Sequence, residues 1–331
     1  MKKLEEKEFR SNLAPYIKGL IDEKRKLGYS YNNELLFLWR FDRFLYGSQY
    51  DTGVLDKEVM NAWSEIETSE CLNSRKYRID ATIMLAKYMI SLGVNAYSPK
   101  SIRKQPRPIP YFPDRKDLNK LFSLVDSWVC GPQGRYSHIS LEYPLILRMC
   151  YCLGLRVSEC TNLACRDIDW ERKRILITHS KGDRYRYVCI ADDLFELIKR
   201  YHGKMGKIFE DRTWFFPAVN DSAPISSGTA SKHFRDSWRQ VQGREHNVQD
   251  GKWPTIHTLR NCFVIHLITK WTEEGLDLET MVPYLCRHLG HRGMQESYSY
   301  FHQIDKQFPA LQKFFNAAGK LPKEIYDYEK D

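Results

Sequence analysis

Four short runs in the second half of the chain carry residue types suited to chemistry on an anion. GLRVSE places Arg156 after Gly154 and Leu155, with Glu159 three residues on. That spacing reads as a buried Arg–Glu pair or as an arginine oriented toward a ligand. SKGDRYR puts Lys181 at a hairpin tip, where a lysine is either a solvated charge or a mobile proton donor. HTLR sets His257 and Arg260 three apart, on one face at the start of a helix. There the pair could point two donors at one anion or cap the helix. LGHRGMQESYSYFH supplies His291 after Gly290 and then Tyr300, an aromatic that could pack like any other or act as a nucleophile.

Taken in this order, the residues resemble the tyrosine recombinase (integrase) family, whose pattern is Arg, Lys, His-x-x-Arg, His or Trp, then Tyr. Arg156 and Glu159 match its G-L-R-x-S-E box, and Lys181 the lysine of its G-K-G-x-K-x-R run. His257 and Arg260 match its H-x-L-R box, His291 its L-G-H box, and Tyr300 falls at the usual distance beyond. Three departures are small: Ser180 for the first Gly of the hairpin run, Arg184 for its second Lys, and Cys189 for a Pro. Tyr298 is a rival nucleophile, but Tyr300-Phe301-His302 fits the family's Y-x-H ending better.

The resemblance covers nearly the whole chain and implies a mainly α fold with a small β-sheet (α+β). An N-terminal four-helix core-binding, SAM-like domain occupies 1–98, a Pro-rich basic linker 99–113, and a catalytic domain with a C-terminal tail 114–331. It implies cleavage and rejoining of DNA without cofactor or metal. The implied partners are double-stranded DNA with specific recombination sites, a homo-tetramer in the synaptic complex, and room for a directionality factor. The two domains would clamp duplex DNA, with Arg75, Lys76, Arg78, Lys100, Arg103, Lys104 and Arg107 as candidate phosphate contacts. A mobile-element enzyme of the simpler two-domain kind is the favoured member.

The residue types suit that reaction on physical grounds. Strand cleavage that saves the bond energy for rejoining needs a nucleophile that stays on phosphorus, and a phenol does so as a 3′-phosphotyrosine. A phenol with pKa about 10 needs cations nearby to ionise and a base to take its proton. Arg156 and Arg260, permanently charged and forked, would hold the non-bridging oxygens. Lys181 is the candidate general acid for the leaving 5′-hydroxyl. His257 would accept the phenolic proton or bond the phosphate, His291 would donate a hydrogen bond, and Glu159 would orient a cation or histidine. No glycine loop of phosphate-binding pattern and no acidic run with metal-ligand spacing is present in the sequence. Cys150, Cys152, Cys160 and Cys165, with His179 nearby, lack the paired-knuckle spacing of zinc sites and read as core thiols.

These groups must be positioned by a helical chain. Apolar residues at three- and four-residue spacing predict helices over 8–27, 30–46, 56–67 and 72–92, with Pro15 splitting or kinking the first. The run SPKSIRKQPRPIPYFPDRK is too rich in proline to continue a helix and reads as a basic strap. Beyond it, helices are predicted over 117–128, 141–153, 193–201, 229–242 and 258–271. Short β-rich runs at 174–178 and 185–190 flank a turn at Gly182-Asp183. An amphipathic stretch at 305–318 closes the pattern, and Phe308, Leu311, Phe314 and Phe315 suit a helix packed on its own domain or docked on a neighbouring protomer.

Composition agrees with this class. The 331 residues are 42% apolar and 28% charged, as in a globular chain, and 51 basic against 42 acidic residues leave +9, which suits an anionic partner. With no long apolar run, no signal-peptide core and nine scattered cysteines, a reduced, cytoplasmic protein is expected, and the resemblance implies association with the nucleoid when bound to DNA. Two rivals remain: a DNA-binding accessory protein of the same fold without chemistry, and a type IB topoisomerase-like enzyme that relaxes DNA without a specific site.

Overall fold

The computed structural model describes residues 7–67, 70–105, 112–128, 138–178, 185–219, 221–242 and 253–291. The chain divides into two compact units, Met1–Pro108 and Ile109–Asp331.

In the first unit the apolar periodicity gives α1 (Ala14–Lys26), α2 (Asn32–Leu45), α3 (Lys57–Trp63) and α4 (Leu72–Ser91). Ile17, Leu20, Leu38, Phe41, Val59, Leu85 and Met89 meet in one core. The leading helix is shorter than its pattern predicts. The buried Asp42 carboxylate accepts the N–H groups of Arg10 and Ser11, each at 2.9 Å, and the Ser11 hydroxyl at 2.6 Å. Those donors are therefore diverted from helix formation, and α1 starts at Ala14. Pro15 then lies in the first turn, where its missing N–H leaves nothing unsatisfied, so it begins the helix instead of kinking it. α3 stops at Trp63, because the Arg78 guanidinium takes the carbonyls of Trp63 and Glu65.

The second unit contains α5 (Arg115–Ser127), α6 (Ile139–Cys152) and a single helical turn, α7 (Val157–Thr161). Next come β1 (Ile168–Asp169), β2 (Arg174–Ile177) and β3 (Arg186–Cys189), an antiparallel sheet in the order β1-β2-β3. Helices α8 (Asp192–Gly206), α9 (Ser227–Gln242), α10 (Ile256–Glu273) and α11 (Leu278–Leu289) complete it. α6 is the strongly apolar helix of the sequence, and Leu145, Ile146 and Met149 pack with Ile175, Val188, Phe215, Phe234 and Leu259. Strand alternation turns Arg186 and Val188 inward and Tyr187 and Cys189 outward. A charged side chain is thus delivered to the interior.

α7, β1 and α11 were not anticipated from sequence. α11 forms despite Pro283 inside it, an interior proline that removes a hydrogen bond. Burial overrides it: Leu278, Val282, Leu285 and Leu289 close on Val264, Ile265 and Ile268 of α10. Asp277 caps the new helix by accepting from the Glu279 and Thr280 N–H groups at 3.1 and 3.2 Å. The Gly182-Asp183 turn and the 305–318 stretch lie outside the described residues. No helix among the described residues is long and apolar enough to cross a membrane.

Candidate active site

The site is built on the cap of α7. Arg156 is its N-cap residue and Glu159 its third residue. The Glu159 carboxylate turns back on the cap, accepting from the Arg156 N–H at 3.0 Å and from Arg156 Nη1 at 2.7 Å. One buried carboxylate therefore fixes both the main chain and the side chain of Arg156.

Two more guanidiniums converge on the same place. From β3, Arg186 donates Nη1 to Glu159 Oε1 at 3.1 Å, Nη2 to Oε2 at 2.8 Å, and Nε to the His288 carbonyl at 2.7 Å. From α10, Arg260 donates Nη1 to the Gly154 carbonyl and Nη2 to the Leu289 carbonyl, both at 2.8 Å. Its Nη1 also lies 3.8 Å from Glu159 Oε2, and its Nη2 lies 3.1 Å from His291 Nε2.

Two glycines make this approach possible. Gly154 (φ +61°) supplies the carbonyl that Arg260 holds, and a Cβ there would stand 2.5 Å from the Phe263 ring. Gly290 (φ +65°) ends α11 and turns the chain to His291, and its Cβ would stand 2.9 Å from Arg186 Nη1. Both positions need left-handed backbone and empty space at once, which only glycine provides.

Among the described residues three guanidiniums share one carboxylate, an excess of positive charge there. Burial works to raise the Glu159 pKa, but the hydrogen bonds and charges of Arg186 and Arg156 outweigh it and hold the carboxyl below its ordinary value. Burial, then the charges of Arg260, Arg156 and Arg186, push His291 down to about 4, so it is neutral at pH 7. With Arg260 donating to Nε2, the ring proton belongs on Nδ1.

The structure thus brings Arg156, Glu159, Arg260 and His291 together. The two arginines are not equally open. Arg260 is 1% exposed with its amino groups on main-chain carbonyls and His291. The Arg156 side chain is 23% exposed and uses Nη1 alone, leaving Nε and Nη2 without a protein partner among the described residues. His257 is exposed in the first turn of α10, whereas Arg260 is buried one turn on. Lys181, Tyr298 and Tyr300 lie outside the described residues.

Arg186 is the residue that sequence reasoning missed. It closes the SKGDRYR run, and a strand whose Val188 points inward must also point residue 186 inward; that alternation was the available signal. Among the described residues no group of His, Cys, Asp or Glu could hold a metal ion. Cys150 and Cys160 are core thiols, with burial pushing Cys160 well up, whereas Cys152 is exposed and Cys165 half-buried, contrary to expectation.

In the first unit, Arg78 departs from the phosphate-contact expectation. It is 1% exposed, donates to both Glu70 oxygens at 2.8 and 2.6 Å, and bonds the Trp63 and Glu65 carbonyls. It is an internal brace. Arg75 is half-buried with Nε on the Ser64 carbonyl at 2.9 Å, and Lys76 bonds Asp80 at 2.5 Å and Ser101 at 2.8 Å. Lys100, Arg103 and Lys104 are exposed, and Arg107 lies outside the described residues.

The fold has counterparts among known proteins. Residues 114–307 match the model of the phage integrase family, more than half of the chain, and the chain belongs to that family. It is 31% identical over 161 residues to the putative integrase/recombinase y4eF of Sinorhizobium fredii (strain NBRC 101917 / NGR234), covering 48% of this chain and 56% of that one. It is 26% identical to the tyrosine recombinase XerC of Bacillus subtilis (strain 168), over 63% of this chain and 62% of that one. The chain thus spans somewhat more than half the length of these two relatives. Among solved structures, the XerH site-specific recombinase bound to palindromic difH substrate in a post-cleavage complex matches with TM-score 0.61 and 20% identity, over 87% of this chain and 78% of that one. The Tn1549 transposon integrase in complex with transposon right end DNA matches with TM-score 0.59 and 13% identity, over 90% of this chain and 99% of that one. These likenesses establish a two-domain tyrosine recombinase fold.

Proposed function

We propose that this protein is a site-specific recombinase that cleaves and rejoins duplex DNA through a covalent 3′-phosphotyrosine, in the service of a mobile element. The observation that carries the reading is the cluster of three guanidiniums around the buried Glu159, with neutral His291 beside them. Such a cluster is a preorganised seat for the charge that builds on a phosphoryl group under attack, and it supplies that charge compensation from side chains.

In this reading Tyr300 attacks the phosphorus and Lys181 protonates the leaving 5′-oxygen. The two uncommitted donors of Arg156 hold non-bridging oxygens, Arg260 adds its charge from within the core, and His291 donates from Nδ1. His257 takes up the phenolic proton. A 5′-hydroxyl from another strand then reverses the step and expels Tyr300. Lys100, Arg103, Lys104 and Arg107, with Arg75 and Lys76, contribute contacts to the DNA backbone. Four protomers act on two sites, and the stretch after Lys306 docks on a neighbour; deleting it blocks pairing of sites while single-site binding survives.

The test is a suicide substrate, nicked next to the cleavage point so that the freed strand end diffuses away. On a target selected from random duplexes, with a chelator present, the protein should accumulate a covalent adduct. Binding without any adduct would contradict the enzymatic reading, and relaxation of plasmids regardless of sequence would contradict site specificity.

A further inference from the structure

The Glu159 carboxylate poses an electrostatic difficulty. It stands beside Arg156 and Arg260, the two guanidiniums that serve an anionic substrate in the reading above, and it is itself an anion with a prior claim on their donors. A buried carboxylate left with Arg156 alone would take both of its amino groups in a fork, the preferred Arg–carboxylate geometry. It does not do so here. The Arg156 side chain reaches Glu159 through Nη1 only, at 2.7 Å, while Arg186 occupies both carboxylate oxygens at 3.1 and 2.8 Å.

Arg186 is suited to that task and to little else. Its side chain is 7% exposed, and its three nitrogens are committed to Glu159 and the His288 carbonyl. The N–H groups left on its two Nη atoms belong to a side chain that is almost entirely buried, so it is not placed to reach a phosphate. Its burial depends on the alternation of β3 on one side and on the missing side chain at Gly290 on the other. The bond to His288 also ties it to the end of α11, three residues before His291.

The geometry points to Arg186 as a positioning residue that saturates Glu159, so that the carboxylate can orient Arg156 without neutralising it. This rests on the recombinase reading and adds a residue that works through Glu159, without touching DNA. The Arg186 hydrogen bonds and charge also hold the Glu159 carboxyl ionised against its burial.

The claim predicts suppression, which a merely structural role does not. In single-turnover cleavage of the suicide substrate, Arg186→Gln should slow adduct formation by about ten- to a hundredfold, the scale on which partners of site residues act. Binding to the uncleaved site should stay within about twofold. Adding Glu159→Gln should restore part of the lost rate, because the competing anion is gone, whereas two independent structural defects would add. Arg186→Lys, which keeps the charge but not the fork, should fall between the wild type and Arg186→Gln. Thermal midpoints are measured for each variant. Should Arg186→Gln not fold, the Arg186→Lys and Glu159→Gln/Arg186→Lys pair carries the same comparison.

Wild-type cleavage by Arg186→Gln, or a double variant slower than either single one, would overturn the inference. So would a loss of rate that follows the thermal midpoint in every variant. Absence of an adduct with the wild-type protein would instead strike at the recombinase reading itself.

Discussion

Arg78 in the first unit and the Glu159 cluster in the second are both buried arginine networks, and they differ in charge balance. Arg78 donates to both Glu70 oxygens and lies 3.9 Å from a second carboxylate, Glu67, with main-chain carbonyls taking what remains. Around Glu159 three guanidiniums share one carboxylate, and one of them keeps two donors without a protein partner among the described residues. A balanced network holds helices together. An unbalanced one is costly to the fold unless an anion comes to it, and the proposed function supplies that anion.

The comparison breaks first if the two networks respond alike. Arg78→Ala should destabilise the first unit by about 3–5 kcal/mol, since it strands Glu70 and two carbonyls, and chemical denaturation would show it. Arg156→Ala should leave the denaturation midpoint nearly unmoved while slowing adduct formation about a hundred- to a thousandfold, the cost of one transition-state donor. A stability loss as large as that of Arg78→Ala would make the Arg156 network structural too.

Gly290→Ala sharpens the contrast at smaller scale. It imposes a left-handed conformation on a residue with a Cβ, at about 1–3 kcal/mol, and presses on Arg186. Stability and cleavage should both fall, and an unchanged cleavage rate would detach Arg186 from the chemistry.

Acidification tests the neutral histidine. An unfolded histidine titrates at about 6.5, and His291 in the fold at about 4. Between these values the unfolded chain binds a proton that the folded one refuses, so stability is full above about pH 6.5 and falls as the pH drops toward 4. His138, His202, His233, His266 and His288 are lowered as well and act in the same direction. His291→Gln should therefore shallow the acid slope without removing it. The smallest effect belongs to the exposed cations: neutralising Lys100, Arg103 or Lys104 should lower the slope of log affinity against log salt by about 1 per phosphate contact.

Much of this was legible in the sequence, for identifiable reasons. Apolar periodicity located most helices, and β-branched runs located β2 and β3. The motif residues Arg156, Glu159, Arg260 and His291, distant along the chain, lie together in the fold. What escaped was what depends on burial. Arg78 belongs to a run with Arg75 and Lys76 that reads as a charged surface, and only the carbonyls freed at the end of α3 make its place internal. α11 was missed, and in the fold the local cost of Pro283 is outweighed by the apolar face laid on α10. Arg186 was hidden because a charged residue in a strand is ordinarily assigned to the water side, and here the alternation sends it inward.

The central claim is that Tyr300 supplies the oxygen that becomes bonded to phosphorus beside this cluster. It is tested most directly by comparing wild-type protein, Tyr300→Phe and Tyr298→Phe on one labelled suicide substrate under denaturing conditions, followed by mapping of the labelled peptide. The account predicts an adduct at Tyr300 with the wild-type protein and with Tyr298→Phe, and none with Tyr300→Phe, which should still bind the site. An adduct that persists in Tyr300→Phe would contradict it.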